Sequence, residues 1–180
     1  MKLLVKDDFL DDVNLLRDKA LQFNFDCSED FSFDPGWRGY RTKKLKLEDD
    51  EFINSCSDKI LTEVSKFFNI EGYTISTYFH VSYLKTKETL AKFEDKKYHT
   101  DHTEYAGVLY LHPNPPKGTG TSVLDGENNK IIQVENVYNR LVCYPGISLH
   151  APSNLFGDVI ENGRMTCPFF ISKYLGWSTN

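Results

Sequence analysis

The hydrophobic pattern of this chain changes period near residue 73, and that switch limits the possible folds more than any other feature. Before it, apolar residues recur at helical spacing. Phe9, Val13, Leu16 and Ala20 form one stripe within residues 8–23, with Asp7 as the expected N-cap. Ile53, Cys56, Ile60, Val64 and Phe67 form a second within residues 50–68, which opens on acidic residues where the helix dipole favours them and closes near Asn69 and Gly72. After the switch the period is two, with Ile75, Thr77, Phe79, Val81 and Tyr83 alternating against Thr74, Ser76, Tyr78, His80 and Ser82. Further strands are expected over 104–112, 119–124, 130–135, 139–144 and 164–174, separated by turn-rich stretches at 113–118 and 125–129. Helices followed by many short strands predict an α+β, mainly β fold, with the helices packed outside a double-sheet jelly roll or barrel. Residues 31–40, aromatic and punctuated by Gly and Pro, read as an irregular loop.

The chain has 180 residues, 40% hydrophobic and 14% aromatic, which suits a single domain: residues 1–70 as helical support, 73–175 as the β core. Its formal net charge of -5 provides no general field for a nucleic-acid backbone or an anionic membrane. The basic run from Arg41 through Lys43, Lys44 and Lys46 reads as solvated surface. Residues 1–8 are too short an apolar stretch for a secretory signal, and no segment reaches membrane-spanning length, so the expected location is the cytoplasm. Cys27, Cys56, Cys143 and Cys167 are scattered without a Cys-x-x-Cys pair and are expected to be reduced, mostly buried thiols.

His99 and Asp101 stand two residues apart at the entry to strand 104–112, so their side chains share a face. His150, after the apolar run 141–149, can join them from a distant strand. Two imidazoles and one carboxylate on one face leave opposite positions of a metal open, as an Fe(II) centre needs in order to take a cosubstrate and dioxygen together. His80, His102 and His112 are read as non-ligands. His-x-Asp alone is weak; the ordered set of His-x-Asp, a strand with Tyr110, the Gly-Thr-Gly-Thr turn at 118–121, a distal His and Arg164 opening the last strand is more specific.

On those residues, 98–175 resemble the Fe(II)/2-oxoglutarate-dependent dioxygenases, particularly the prolyl-4-hydroxylase-like branch. The resemblance implies a double-stranded β-helix with His99, Asp101 and His150 holding Fe(II). It also implies that Arg164 pairs with the distal carboxylate of 2-oxoglutarate, a task suited to its planar fork. Thr166 stands where the family often has Ser. Tyr110 lies in a segment similar to the family's Tyr-Leu-Asn strand, with His112 in place of Asn, and either supports the same carboxylate or fills the core. Tyr83 either approaches the other end of 2-oxoglutarate or lines the barrel. The implied reaction consumes dioxygen, releases succinate and carbon dioxide, and hydroxylates a substrate that no motif identifies. Trp37, Arg38, Tyr40 and Arg41 could fold over the barrel mouth; residues 35–38 resemble an element of some phage and bacterial members. Two other readings stay open: a cupin-like metalloprotein that does not use 2-oxoglutarate, and a metal-free jelly-roll binding module.

Overall fold

The computed structural model describes residues 1–32, 37, 39–45, 50–82 and 98–173. In chain order its elements are β1 (Leu4–Lys6), α1 (Val13–Ala20), β2 (Asp26–Cys27), β3 (Tyr40–Arg41), α2 (Glu51–Phe68), β4 (Tyr73–Thr77), β5 (His80–Ser82), β6 (Tyr105–Tyr110), β7 (Thr121–Asp125), β8 (Lys130–Val134), β9 (Leu141–Pro145), β10 (His150–Pro152) and β11 (Arg164–Lys173). Among the described residues they form an eight-stranded sheet, in the order β1-β9-β6-β11-β5-β3-β2 with β4 also on β11, and a three-stranded sheet, β10-β7-β8. Every pairing is antiparallel.

Alternation along β11 divides the molecule into layers. Met165, Cys167, Phe169 and Ile171 face the helices and meet Val13, Leu16 and Ala20 of α1 and Ile53, Cys56, Ile60 and Val64 of α2 in one buried cluster. The intervening residues face the smaller sheet. There Phe170 packs against a second cluster of Ala106, Tyr110, Val123, Val134, Val142 and Tyr144. Arg164 and Thr166 share that inner face, so the space between the sheets is where polar side chains gather.

α2 forms where expected. Asp50 caps it, accepting from the Phe52 and Ile53 amides at 2.9 and 3.1 Å, and Asn69 ends it in the left-handed conformation at φ 58°. α1 differs from the expectation. It begins at Val13, and Asp7 instead accepts from Arg140 Nη2 at 2.9 Å. The backbone of residues 9 and 10 is diverted by Asn139: the Phe9 amide donates to its carbonyl (3.0 Å), the Leu10 amide to its Oδ1 (2.9 Å), and its Nδ2 donates to the Leu10 carbonyl (2.8 Å). The Leu10 carbonyl, which such a helix would bond to the Asn14 amide, is taken by Asn139, and Asp8 is left-handed at φ 47°, so the helix does not extend back to residue 8, although Phe9 remains buried.

The strand expected over 73–83 is two ladders, β4 and β5, in continuous register along β11, from Phe169↔Thr77 to Thr166↔His80. The gap lies opposite Pro168, which has no N–H to donate. Residues 1–70 do more than support the core: β1 pairs with β9, and β3 pairs with β5. All four cysteines are free and buried, and burial pushes the thiols of Cys56 and Cys167 up to about 11 and about 12. Among the described residues no helix is long and apolar enough to cross a membrane.

Candidate metal centre

His150 opens β10, whose register with β7 sets it opposite Val123, an inner-face residue of the smaller sheet. His99 lies outside the regular strands, yet its backbone pairs with His150 both ways: the His99 amide donates to the His150 carbonyl at 3.0 Å, and the His150 amide to the His99 carbonyl at 2.9 Å. Two residues on, the Asp101 amide donates to the Gly146 carbonyl at 2.9 Å, and the Gly146 amide to the Glu104 carbonyl at 3.0 Å. Glycine is needed at 146, because a Cβ there would collide with the Thr103 carbonyl oxygen. The sequence 99–104 is therefore held by backbone bonds to the segment that carries His150.

This scaffold gathers one ligand atom each from His99, Asp101 and His150 within 4.8 Å of one another. It is the one such group of three among the described residues, and His80, His102 and His112 are outside it. The rings of His99 and His150 stand 4.4 Å apart between centroids, and Tyr144 covers His150 from 4.6 Å.

The donor set is suited to a cation. His150 Nδ1 lies 2.9 Å from the Ser148 carbonyl oxygen, which can only accept, so this nitrogen carries a proton. Nε2 then faces Asp101 Oδ2 at 3.2 Å. An imidazole lone pair and a carboxylate oxygen at that separation repel unless a proton or a metal ion lies between them. The fixed tautomer is also the one a ligating histidine adopts when a carbonyl orients its other nitrogen.

Arg164 lies on the same inner face and is 4% exposed. Its Nε donates to the Thr119 carbonyl (2.8 Å), and its Nη2 to the Gly120 carbonyl (3.0 Å) and Thr121 Oγ1 (3.3 Å). Tyr110 lies beneath the guanidinium, 5.4 Å to the ring centroid, and its hydroxyl is 2.7 Å from Thr121 Oγ1. These partners are neutral, and among the described residues no carboxylate pairs with Arg164. A guanidinium buried without a counter-ion is costly, and burial holds its pKa below the ordinary arginine value. An anionic ligand would supply the missing charge.

Thr166 stands opposite both Tyr110 and His80, and its hydroxyl donates to the His80 carbonyl at 3.3 Å. Tyr83 and Arg38 lie outside the described residues. Sequence reasoning missed the bracing role of Thr121, which alternation with Val123 and Asp125 could have placed on the inner face, and that of the Ser148 carbonyl, for which no side-chain signal exists.

No protein-family model matches the sequence, and no curated protein is significantly similar to it. Solved structures are. A prolyl-4-hydroxylase from Pseudomonas putida superposes over 96% of this chain and 92% of its own, with a TM-score of 0.60 at 13% identity. An oxidoreductase of the 2OG-Fe(II) oxygenase family from Burkholderia pseudomallei matches over 97% and 86%, with a TM-score of 0.66 at 10% identity. The fold is that of these oxygenases, a double-stranded β-helix. HygX from Streptomyces hygroscopicus, solved with nickel and 2-oxoglutarate bound, shares it over 97% of this chain and 84% of its own, with a TM-score of 0.64 at 11% identity. The jelly roll flanked by helices that the change of period implies is thus the observed architecture.

Proposed function

We propose that this chain is an Fe(II)- and 2-oxoglutarate-dependent dioxygenase that hydroxylates its substrate, with His99, Asp101 and His150 as metal ligands and Arg164 as the cosubstrate anchor. The observation that carries the reading is the pairing of two unmet charges between the sheets. The Asp101 oxygen and the His150 lone pair face each other at 3.2 Å and call for a cation, while the buried Arg164 calls for an anion. A metal with a dicarboxylate satisfies both.

When bound, Fe(II) and 2-oxoglutarate supply the oxidising chemistry: dioxygen is reduced, 2-oxoglutarate is cleaved to succinate and carbon dioxide, and one oxygen atom enters a substrate C–H bond. The chain's own residues bind and orient. Arg164 offers the distal carboxylate its charge and the guanidinium N–H groups that Thr119, Gly120 and Thr121 leave open, and Tyr110 holds the guanidinium from below through its ring and through Thr121. The Tyr110 phenol, raised in pKa chiefly by burial, stays protonated and can donate to the same carboxylate. The Thr166 hydroxyl, two residues along the same face, can rotate from the His80 carbonyl to do likewise. Tyr144, Val142 and Val123 keep the interior apolar around these polar groups.

The test is an anaerobic titration of the protein with Fe(II) and then 2-oxoglutarate, following the visible metal-to-ligand charge-transfer band. The expected result is a band in the wild type, a weaker one in Arg164→Lys, which keeps the charge but loses the fork, and none in Arg164→Ala at the same cosubstrate concentration. Metal binding without a band in folded wild-type protein would favour the cupin-like chemistry instead. Failure to bind metal would leave a non-catalytic module.

A further inference from the structure

The pairing registers place one lateral row of residues across the inner face of the larger sheet. Tyr110 stands opposite Thr166, Thr166 opposite His80, His80 opposite Arg41, and Arg41 opposite Asp26. Directly paired residues project to the same side, so Arg41 shares the face that carries Arg164, two strands away, and Tyr110, three strands away. The Arg41 guanidinium lies 4.5 Å from the Trp37 ring centroid and 5.0 Å from that of Tyr78. Tyr78 in turn stacks on Phe170 of β11 (5.8 Å, 23°), and Trp37 meets His80 edge-on at 6.1 Å. The cluster approaches the proposed centre through Phe170, which packs against the buried group containing Tyr144, the ring that covers His150 from 4.6 Å.

Stacking fixes the plane of a guanidinium through its faces and leaves the N–H groups at its edge available for an anion in bidentate geometry. Among the described residues no carboxylate forms an ion pair with Arg41. Asp26, across the β2–β3 pair, is exposed and does not reach it, while Lys43, two residues on, adds a second positive charge. The position is also fixed from behind. Gly39, at φ +104°, lies so close to β5 that a Cβ would collide with the Val81 carbonyl, and its amide and carbonyl are both bonded to Ser28, at 3.2 and 2.9 Å.

We propose that Arg41, held between Trp37 and Tyr78, is the recognition point for a carboxylate or phosphate on the compound oxidised at the His99, Asp101 and His150 centre. This rests on the oxygenase reading and adds the class of substrate: an anionic molecule with a flat or apolar body. The anion docks on Arg41, the body lies along Tyr78 and Phe170, and its far end points toward Tyr144 and His150.

The experiment titrates the metal-free protein with phenylacetate, phenyl phosphate and the uncharged phenylacetamide, following binding by calorimetry, and repeats the series with Arg41→Gln, Arg41→Lys and Gly39→Ala. One of the two anions is expected to bind at least tenfold more tightly than phenylacetamide, and which one identifies the acid class. Arg41→Gln should remove that preference, Arg41→Lys should keep part of it, and Gly39→Ala should weaken it. The charge-transfer band with Fe(II) and 2-oxoglutarate should be unchanged in Arg41→Gln, which separates this subsite from the Arg164 anchor and reports correct folding. Equal binding of acid and amide, no binding of either acid, or full affinity in a folded Arg41→Gln protein would overturn the proposal. Loss of the oxygenase reading would show instead as a missing band in the wild type, whatever the acids do.

Discussion

At the scale of single residues the candidate centre is defined by what its atoms cannot do for one another. His150 Nε2 and Asp101 Oδ2 face each other at 3.2 Å with Nδ1 committed to the Ser148 carbonyl, so the pair requires a proton or a metal ion between its atoms. Asp101→Asn replaces one acceptor with an amide that can donate across the gap. In metal-free protein this variant is expected to stay within ~1 kcal/mol of the wild type, the usual net worth of one hydrogen bond. Thermal unfolding after chelation checks that the fold is kept. Metal analysis after dialysis against Fe(II) should show the variant's loss of uptake. That His99, Asp101 and His150 come together was legible from their order and spacing, while their roles and that of Arg164 belong to the proposal. The Ser148 carbonyl was not, since a backbone group carries no signature of its use.

Among the elements, α2 shows what local chemistry secures and α1 what it does not. Asp50 closes the first turn of α2 and pairs with Lys19 in the adjoining chain at 2.6 Å, so one carboxylate ties both helical segments. Asp50→Ala is expected to cost ~1 kcal/mol, the usual worth of an N-cap, measurable by urea denaturation. The Lys19 bond first, then the backbone amides, hold the Asp50 carboxyl below its ordinary value of 3.8. A group with a lowered folded-state pKa stabilises fully above its unfolded value and loses that contribution as pH falls through the folded one. The stability gap between wild type and Asp50→Asn should therefore narrow as pH is lowered below about 3.8, and a gap independent of pH would remove the carboxylate from the account. The helical stripe of residues 9–20 was read from the same periodicity as α2, but Asn139, over a hundred residues away, takes the Leu10 carbonyl that its first turn would have used. β1 escaped notice because three residues are too few to show a period.

For the molecule as a whole, the larger sheet separates two interiors with different duties. The side toward the helices is apolar and load-bearing. Phe169, fully buried there, should cost ~3–5 kcal/mol when replaced by Ala, whereas Ile131→Ser on exposed β8 should stay within about 0.5 kcal/mol. Chemical denaturation of both variants tests the division. The side toward the smaller sheet carries the charges. The overall architecture was legible because the change from helical to strand period survives in every element long enough to show it. The row from Tyr110 to Arg41 was not, since it exists only once four strands from distant parts of the chain are in register.

The reciprocal amide bonds between His99 and His150 bear on how the centre is loaded. Two candidate ligands 51 positions apart are joined through their main chains, at 3.0 and 2.9 Å. Their amides should resist deuterium exchange as strongly in chelated protein as in the metal-loaded form. Equal protection would make loading of the proposed centre a local exchange of ion for solvent on a frame the main chain holds, and faster exchange without metal would make the ion part of the fold.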